Sequence, residues 1–125
     1  MMMGEMGAKV IKIETPHGRD TAADVHHGTP VHYHSFNRGK RNMAIDTKTE
    51  AGRDAVRLLV ADADVYMQNM RPGVADKMGL GYDDLKAINP RLVYVSISGF
   101  GDFGPYRDRM ACEHNDDHKD HKFSV

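Results

Sequence analysis

Polar and apolar positions alternate over Lys9–Glu14, KVIKIE, where Val10, Ile11 and Ile13 form a β-rich set, so this stretch predicts the first strand. Thr15-Pro16-His17-Gly18 ends it, because the residue before a proline prefers extended backbone and Gly18 supplies a turn. Ahead of the strand, Met1, Met2, Met3 and Met6 have the spacing of the last turn of an amphipathic helix closed by Gly7. The chain is therefore expected to begin partway through an element. A second strand is predicted over Asn42–Asp46, NMAID. Behind it, Thr47 and Glu50 have the spacing of a capping box, and Thr49 is an equally good cap. The helix that follows should run to about Ala61 and bury Ala51, Ala55, Leu58 and Leu59 on one stripe.

The pattern then breaks at Asp64–Gly73, DVYMQNMRPG. Val65, Tyr66 and Met67 read as a buried strand, and the strand must stop near Gln68 and Asn69, because Pro72 cannot donate a ladder hydrogen bond and Gly73 permits positive φ. Short helices are predicted at Val74–Met78 and Asp83–Ile88, separated by Gly79 and Gly81 and closed before Pro90. Arg91–Ser98, RLVYVSIS, is the most apolar strand and has the composition of a central parallel strand covered on both faces. Strand, long loop, strand, helix, strand, helix, strand gives an α/β fold: a partial Rossmann-like parallel sheet with flanking helices. The remaining polar run, His114–Val125, is expected to be a disordered C-terminal tail.

Composition changes this picture only by exclusion. With 17 basic and 18 acidic residues, the chain has no cationic field for holding nucleic acid by its phosphates. No apolar run approaches the roughly 18 residues of a membrane-spanning helix. The single cysteine, Cys112, forms no internal disulfide and fits a reducing, cytoplasmic compartment. Mean hydropathy of −0.59 describes a soluble domain with a modest core.

Candidate chemistry gathers where strands end. In an open α/β sheet ligands bind at the carboxyl ends of strands, which places Asn69, Met70 and Arg71 where chemistry is expected. The loop Gly99–Tyr106, GFGDFGPY, is glycine-rich and aromatic, and its backbone can approach a ligand closely. No long helix opens behind it, so it is not a dinucleotide fingerprint. Arg38, Lys40 and Arg41 cluster before the second strand, either as a solvated turn or as a basic hairpin able to hold a phosphorylated ligand. From Arg19 to Gly39 there is no period of either kind, and His26, His27, His32 and His34 fall inside that loop. No cysteine or paired carboxylate accompanies these histidines, so a metal site is not expected there. In the tail, His114 with His118 and Asp117 with His121 stand four apart, a spacing that a solvated terminus explains without a metal.

Three strings carry a family resemblance: GAKVIKIE, FNRGKRNMAIDTKTEAGRDAV and ADVYMQNMRPGVADKMGLGYDDLKAINPRLVYVSISGFGDFGPYRDR. They resemble the N-terminal part of the class III CoA-transferases, the CaiB/BaiF group, in register from about Gly7 to Arg109. The same superfamily includes formyl-, carnitinyl- and succinyl-CoA transferases and α-methylacyl-CoA racemases. The resemblance implies a partial CoA-binding domain over residues 1–109, an unrelated polar tail over 110–125, and an interlocked homodimer. It also implies coenzyme A or acyl-CoA as substrate with no other cofactor, and CoA contacts at Ile45, Lys48, Asn69, Met70 and Lys77. Lys48 and Lys77 would meet phosphates, and Ile45 and Met70 would offer apolar or main-chain contact. Thr15 stands where relatives often carry a basic residue, which removes one phosphate contact.

In such enzymes an aspartate attacks the thioester to give a mixed anhydride, and CoA then returns to the acceptor acid. That aspartate lies several dozen residues beyond Arg109 in relatives, and the opening strand of the family lies ahead of Met1. The expectation is therefore a fragment with no catalytic residue of its own, inactive alone and prone to aggregation where Leu92, Val93 and Val95 stay uncovered. Two alternatives remain: a fragment of a racemase-like isomerase, or a non-catalytic CoA-binding or dimerisation module. The racemases carry a histidine base at the position of Cys112, which argues against the first.

Overall fold

Between Asp62 and Ala63 the chain divides into two units. A computed structural model of the chain describes residues 2–16, 25–26, 29–30 and 36–109.

The first unit opens with α1, Met2–Glu5. Gly7 takes φ 97° and closes it: the Ala8 N–H donates to the Met3 carbonyl at 3.0 Å and the Gly7 N–H to the Gly4 carbonyl at 3.2 Å. The expected helix end is thus present. β1, Val10–Glu14, follows. Inside the predicted long loop, β2 (Val25–His26) and β3 (Thr29–Pro30) form a brief antiparallel bridge with His26 opposite Thr29. The other loop histidines, His27, His32 and His34, lie outside the described residues, as do Cys112 and the tail from His114.

β4, Lys40–Ala44, pairs in parallel with β1, Val10 opposite Lys40 and Glu14 opposite Ala44. This strand starts and stops two residues earlier than the expected Asn42–Asp46. The basic cluster therefore forms no hairpin. Lys40 and Arg41 enter the strand, and the Arg38 Nε donates to Glu5 Oε1 at 3.0 Å.

The helix α2 spans Glu50–Ala61, and Thr49 rather than Thr47 caps it. Its inward row is Gly52, Val56 and Val60, which corrects the expected stripe. Ala51 is exposed, Ala55 and Leu59 are half-buried, and Leu58 is 75% exposed. The cause is steric. Only the glycine can face the Asp46 carbonyl, so the helix is rolled to put the i, i+4, i+8 row of Gly52 inward.

The second unit contains β5 (Val65–Gln68), α3 (Val74–Lys77), α4 (Tyr82–Ile88) and β6 (Val93–Ser96). β5 and β6 run parallel, Val65 opposite Val93 and Gln68 opposite Ser96. Ala75, Leu80 and Leu85 form its buried centre. Asn89 ends α4 and ties it to the start of β5, donating from Nδ2 to the Ala63 carbonyl at 2.8 Å and accepting the Arg91 N–H at 3.1 Å.

Side chains alternate across the β5–β6 pair. Tyr66 and Tyr94 lie on one face with ring centroids 5.4 Å apart, and Tyr94 meets Tyr82 of α4 edge-on at 5.8 Å. Met67 and Val93, by contrast, are 55% and 56% exposed. The strand predicted over Arg91–Ser98 is therefore shorter and is not covered on both faces. Among the described residues, no helix is long and apolar enough to cross a membrane.

Burial pushes the Tyr66 phenol up to about 12, with Tyr94 adding to the shift. The folded chain thus holds the proton more tightly than the unfolded one, so the contribution is complete below pH 10 and is lost as pH rises towards 12. Alkaline titration followed by tyrosinate absorbance and circular dichroism should show unfolding in this window. Tyr66→Phe should remove the Tyr66 share of that pH dependence.

Candidate functional site

In the first unit the candidate residues sit in the turn leaving β4. The Ile45 N–H donates to the Glu14 carbonyl at 2.8 Å, continuing the parallel ladder, and its side chain is buried at 8% exposure. What Ile45 can offer outward is therefore main chain rather than side chain. The Asp46 carboxylate accepts the Lys48 N–H at 3.0 Å, an Asx turn. The Thr49 hydroxyl donates to the Asp46 carbonyl at 2.8 Å and accepts the Gly52 N–H at 3.1 Å, joining the turn to the first turn of α2. Arg53 Nη1 donates to the Lys48 carbonyl at 2.9 Å and the Thr47 carbonyl at 3.3 Å, and Arg53 also pairs with Glu50.

The Lys48 backbone is thus held on both sides, while its side chain is exposed. A fixed stem carrying a free-swinging ammonium is well suited to a phosphate. Glu50 is held below the usual carboxylate range by its hydrogen bonds to Arg53 and Arg57, so α2 begins with a compensated charge.

In the second unit the candidates cluster at the carboxyl end of β5. Gln68 is the last strand residue: its Nε2 donates to Ser96 Oγ at 2.9 Å, and its Oε1 accepts the Met70 N–H at 2.6 Å. Asn69 is exposed at the apex of the turn and Met70 is half-buried. Gly73 then takes φ 79° to start α3, and Lys77 occupies the last turn of that helix with its side chain in solvent.

The loop after β6 folds back to this turn. A Cβ on Gly73 would sit 3.5 Å from Arg107 Nη2. The Arg109 guanidinium lies 5.9 Å from the Phe100 ring centroid and 5.8 Å from that of Tyr106, and the two rings are 6.1 Å apart.

Ile45 and Lys48 lie in the turn leaving β4, Asn69 and Met70 follow the end of β5, where reasoning from the residue pattern placed them, and Lys77 ends α3. That reasoning missed the tether made by Gln68. Its signal was an amide directly at the end of an apolar run, where a solvated polar residue and a bridging one look alike. Arg107 was missed too, because nothing local links it to Gly73. Among the described residues no three His, Cys, Asp or Glu side chains come together as metal ligands would.

Short parallel strand pairs with flanking helices define part of an α/β protein. The chain belongs to CoA-transferase family III, whose model matches residues 1–117. It is 43% identical over 117 residues to the succinate–glutarate CoA-transferase of Agrobacterium fabrum, covering 86% of this chain and 29% of that protein. It is 39% identical over 115 residues to the formyl-CoA:oxalate CoA-transferase of Streptomyces avermitilis, covering 90% of this chain and 28% of that protein. Among solved structures, a CAIB/BAIF family protein from Brucella suis superposes with a TM-score of 0.80 at 47% identity, covering 86% of this chain and 30% of the other. The chain thus spans about three-tenths of the length of the relatives it matches.

Proposed function

We propose that these residues carry part of the CoA-binding half of an enzyme that moves CoA from an acyl-CoA thioester to a carboxylic acid. The observation that supports this most directly is the similarity to relatives named for CoA transfer between carboxylic acids, running through both strand-exit turns. On the first unit the Lys48 ammonium suits a phosphate and Ile45 offers a main-chain contact; on the second, the Lys77 ammonium suits a phosphate, and Asn69 and Met70 suit the polar and apolar parts of CoA. A second copy of the chain is the partner in this reading, and the exposed Met67 and Val93 are the kind of surface it would cover. The relatives compared are named as transferases, which favours transfer over the isomerase alternative.

A carboxylate that attacks a thioester must be held against it. Every described aspartate is exposed, and Glu14, half-buried, is paired with Lys12 at 2.7 Å. These residues alone should therefore bind CoA without turning it over.

Isothermal titration should give measurable CoA affinity, and Lys48→Ala and Lys77→Ala should each weaken it by about ten-fold or more, the loss of a charge-assisted hydrogen bond. Affinity should also fall as salt is raised. No affinity for CoA would sink the proposal. Release of free CoA from an acyl-CoA by this chain alone would sink its second half.

A further inference from the structure

We infer that Gln68 is the positioning residue that sets the Asn69–Met70 turn for its ligand, and that by engaging the Met70 N–H it leaves the turn's ligand contacts to the Asn69 amide and to the Met70 carbonyl and thioether. The inference rests on the CoA reading of this turn. Gln68 is anchored twice at the end of β6: its main-chain carbonyl accepts the N–H of Ile97, the residue after the strand, at 2.9 Å, and its Nε2 donates to Ser96 Oγ at 2.9 Å. With the side chain so fixed, Oε1 meets the Met70 N–H at 2.6 Å, two residues on. A strand end that would otherwise fray is thereby closed by a bond from its own side chain, inside a half-buried site where such a bond is costly to lose.

The consequence for recognition is specific. With the Met70 N–H engaged, residues 69 and 70 present the Asn69 side-chain amide, the Met70 carbonyl and the Met70 thioether. They suit a ligand segment with a polar edge and an apolar flank, as the pantetheine and adenine parts of CoA have.

The chemistry also says which replacement keeps the device. A glutamate at 68 still accepts the Met70 N–H, and the Ser96 hydroxyl can turn to donate to it. Leucine has the bulk and neither bond.

The test uses the full chain with Gln68→Leu and Gln68→Glu, read by CoA titration and by hydrogen exchange at single amides. Gln68→Leu should weaken CoA about ten-fold, as loss of one hydrogen bond does, and should speed Met70 exchange while the Tyr66 and Met67 amides stay as protected as before. Gln68→Glu should bring both measurements back to within about three-fold of the parent, a rescue that lost packing alone would not give. If the parent binds CoA and Gln68→Leu binds it equally well, or if Met70 exchange is unchanged, the inference is overturned and the CoA reading stands. If the parent does not bind CoA, both go together.

Discussion

Leu85→Ala is expected to destabilise the second unit by about 2–5 kcal/mol, the range for deleting a fully enclosed leucine. Leu85 is 0% exposed, on the inward side of α4, within a centre whose other buried apolar side chains among the described residues are Ala75 and Leu80. So small a core has little to close the cavity, which places the cost towards the top of that range. Native domains hold only roughly 5–15 kcal/mol in total. The variant should therefore lose its cooperative transition in urea, and affinity at the Asn69–Met70 turn should fall with it. Leu58→Ala is the matched control. The same chemical change, at a side chain 75% exposed on α2, should shift stability by no more than about 0.5 kcal/mol. Equal losses for the two variants would contradict the burial described here.

Gly52→Ala should reverse the usual sign of its class. Within a helix this change normally stabilises by about 1 kcal/mol, because alanine loses less backbone freedom on folding. Here a Cβ would stand 2.0 Å from the Asp46 carbonyl oxygen and 3.1 Å from Thr49 Oγ1, so the turn that holds Lys48 would have to move. Overpacking against backbone costs roughly 1–3 kcal/mol. The melting temperature should drop by at least about 4–8 °C, the shift that 1 kcal/mol produces in a unit of this size. Because the displaced turn carries Ile45 and Lys48, CoA affinity should weaken as well. A melting temperature equal to or above the parent's would show that the close approach is not there.

Neither site was announced in full by the chain. The helix over Asp83–Ile88 was legible from its spacing behind Gly81, but not that Leu85, rather than Tyr82 or Ile88, would be its buried residue. Gly52 did not follow either. Period alone cannot say which side of an amphipathic helix wins when Ala51, Ala55, Leu58 and Leu59 compete with Val56 and Val60, and the deciding contact is made to a carbonyl in the preceding turn. The expectation of a fully covered strand at Arg91–Ser98 failed for a related reason. Apolar composition states what a strand tolerates, whereas its cover comes from other segments.

The order of the main strands and helices and the strand-to-turn transition at Gln68–Gly73 were legible in the residue pattern, since β-branched runs, prolines, glycines and caps act over a few neighbouring residues, whereas membership in a CoA-transferase family rested on the likeness of three longer strings. Tertiary structure decided the roll of α2, the choice of Thr49 as cap, the exposure of Met67 and Val93, and the tether from Gln68 to Ser96 and Met70. The exposure and the bond to Ser96 depend on atoms from separated positions, and the cap, the roll and the bond to Met70 depend on the three-dimensional course of a turn, neither of which a one-dimensional pattern holds.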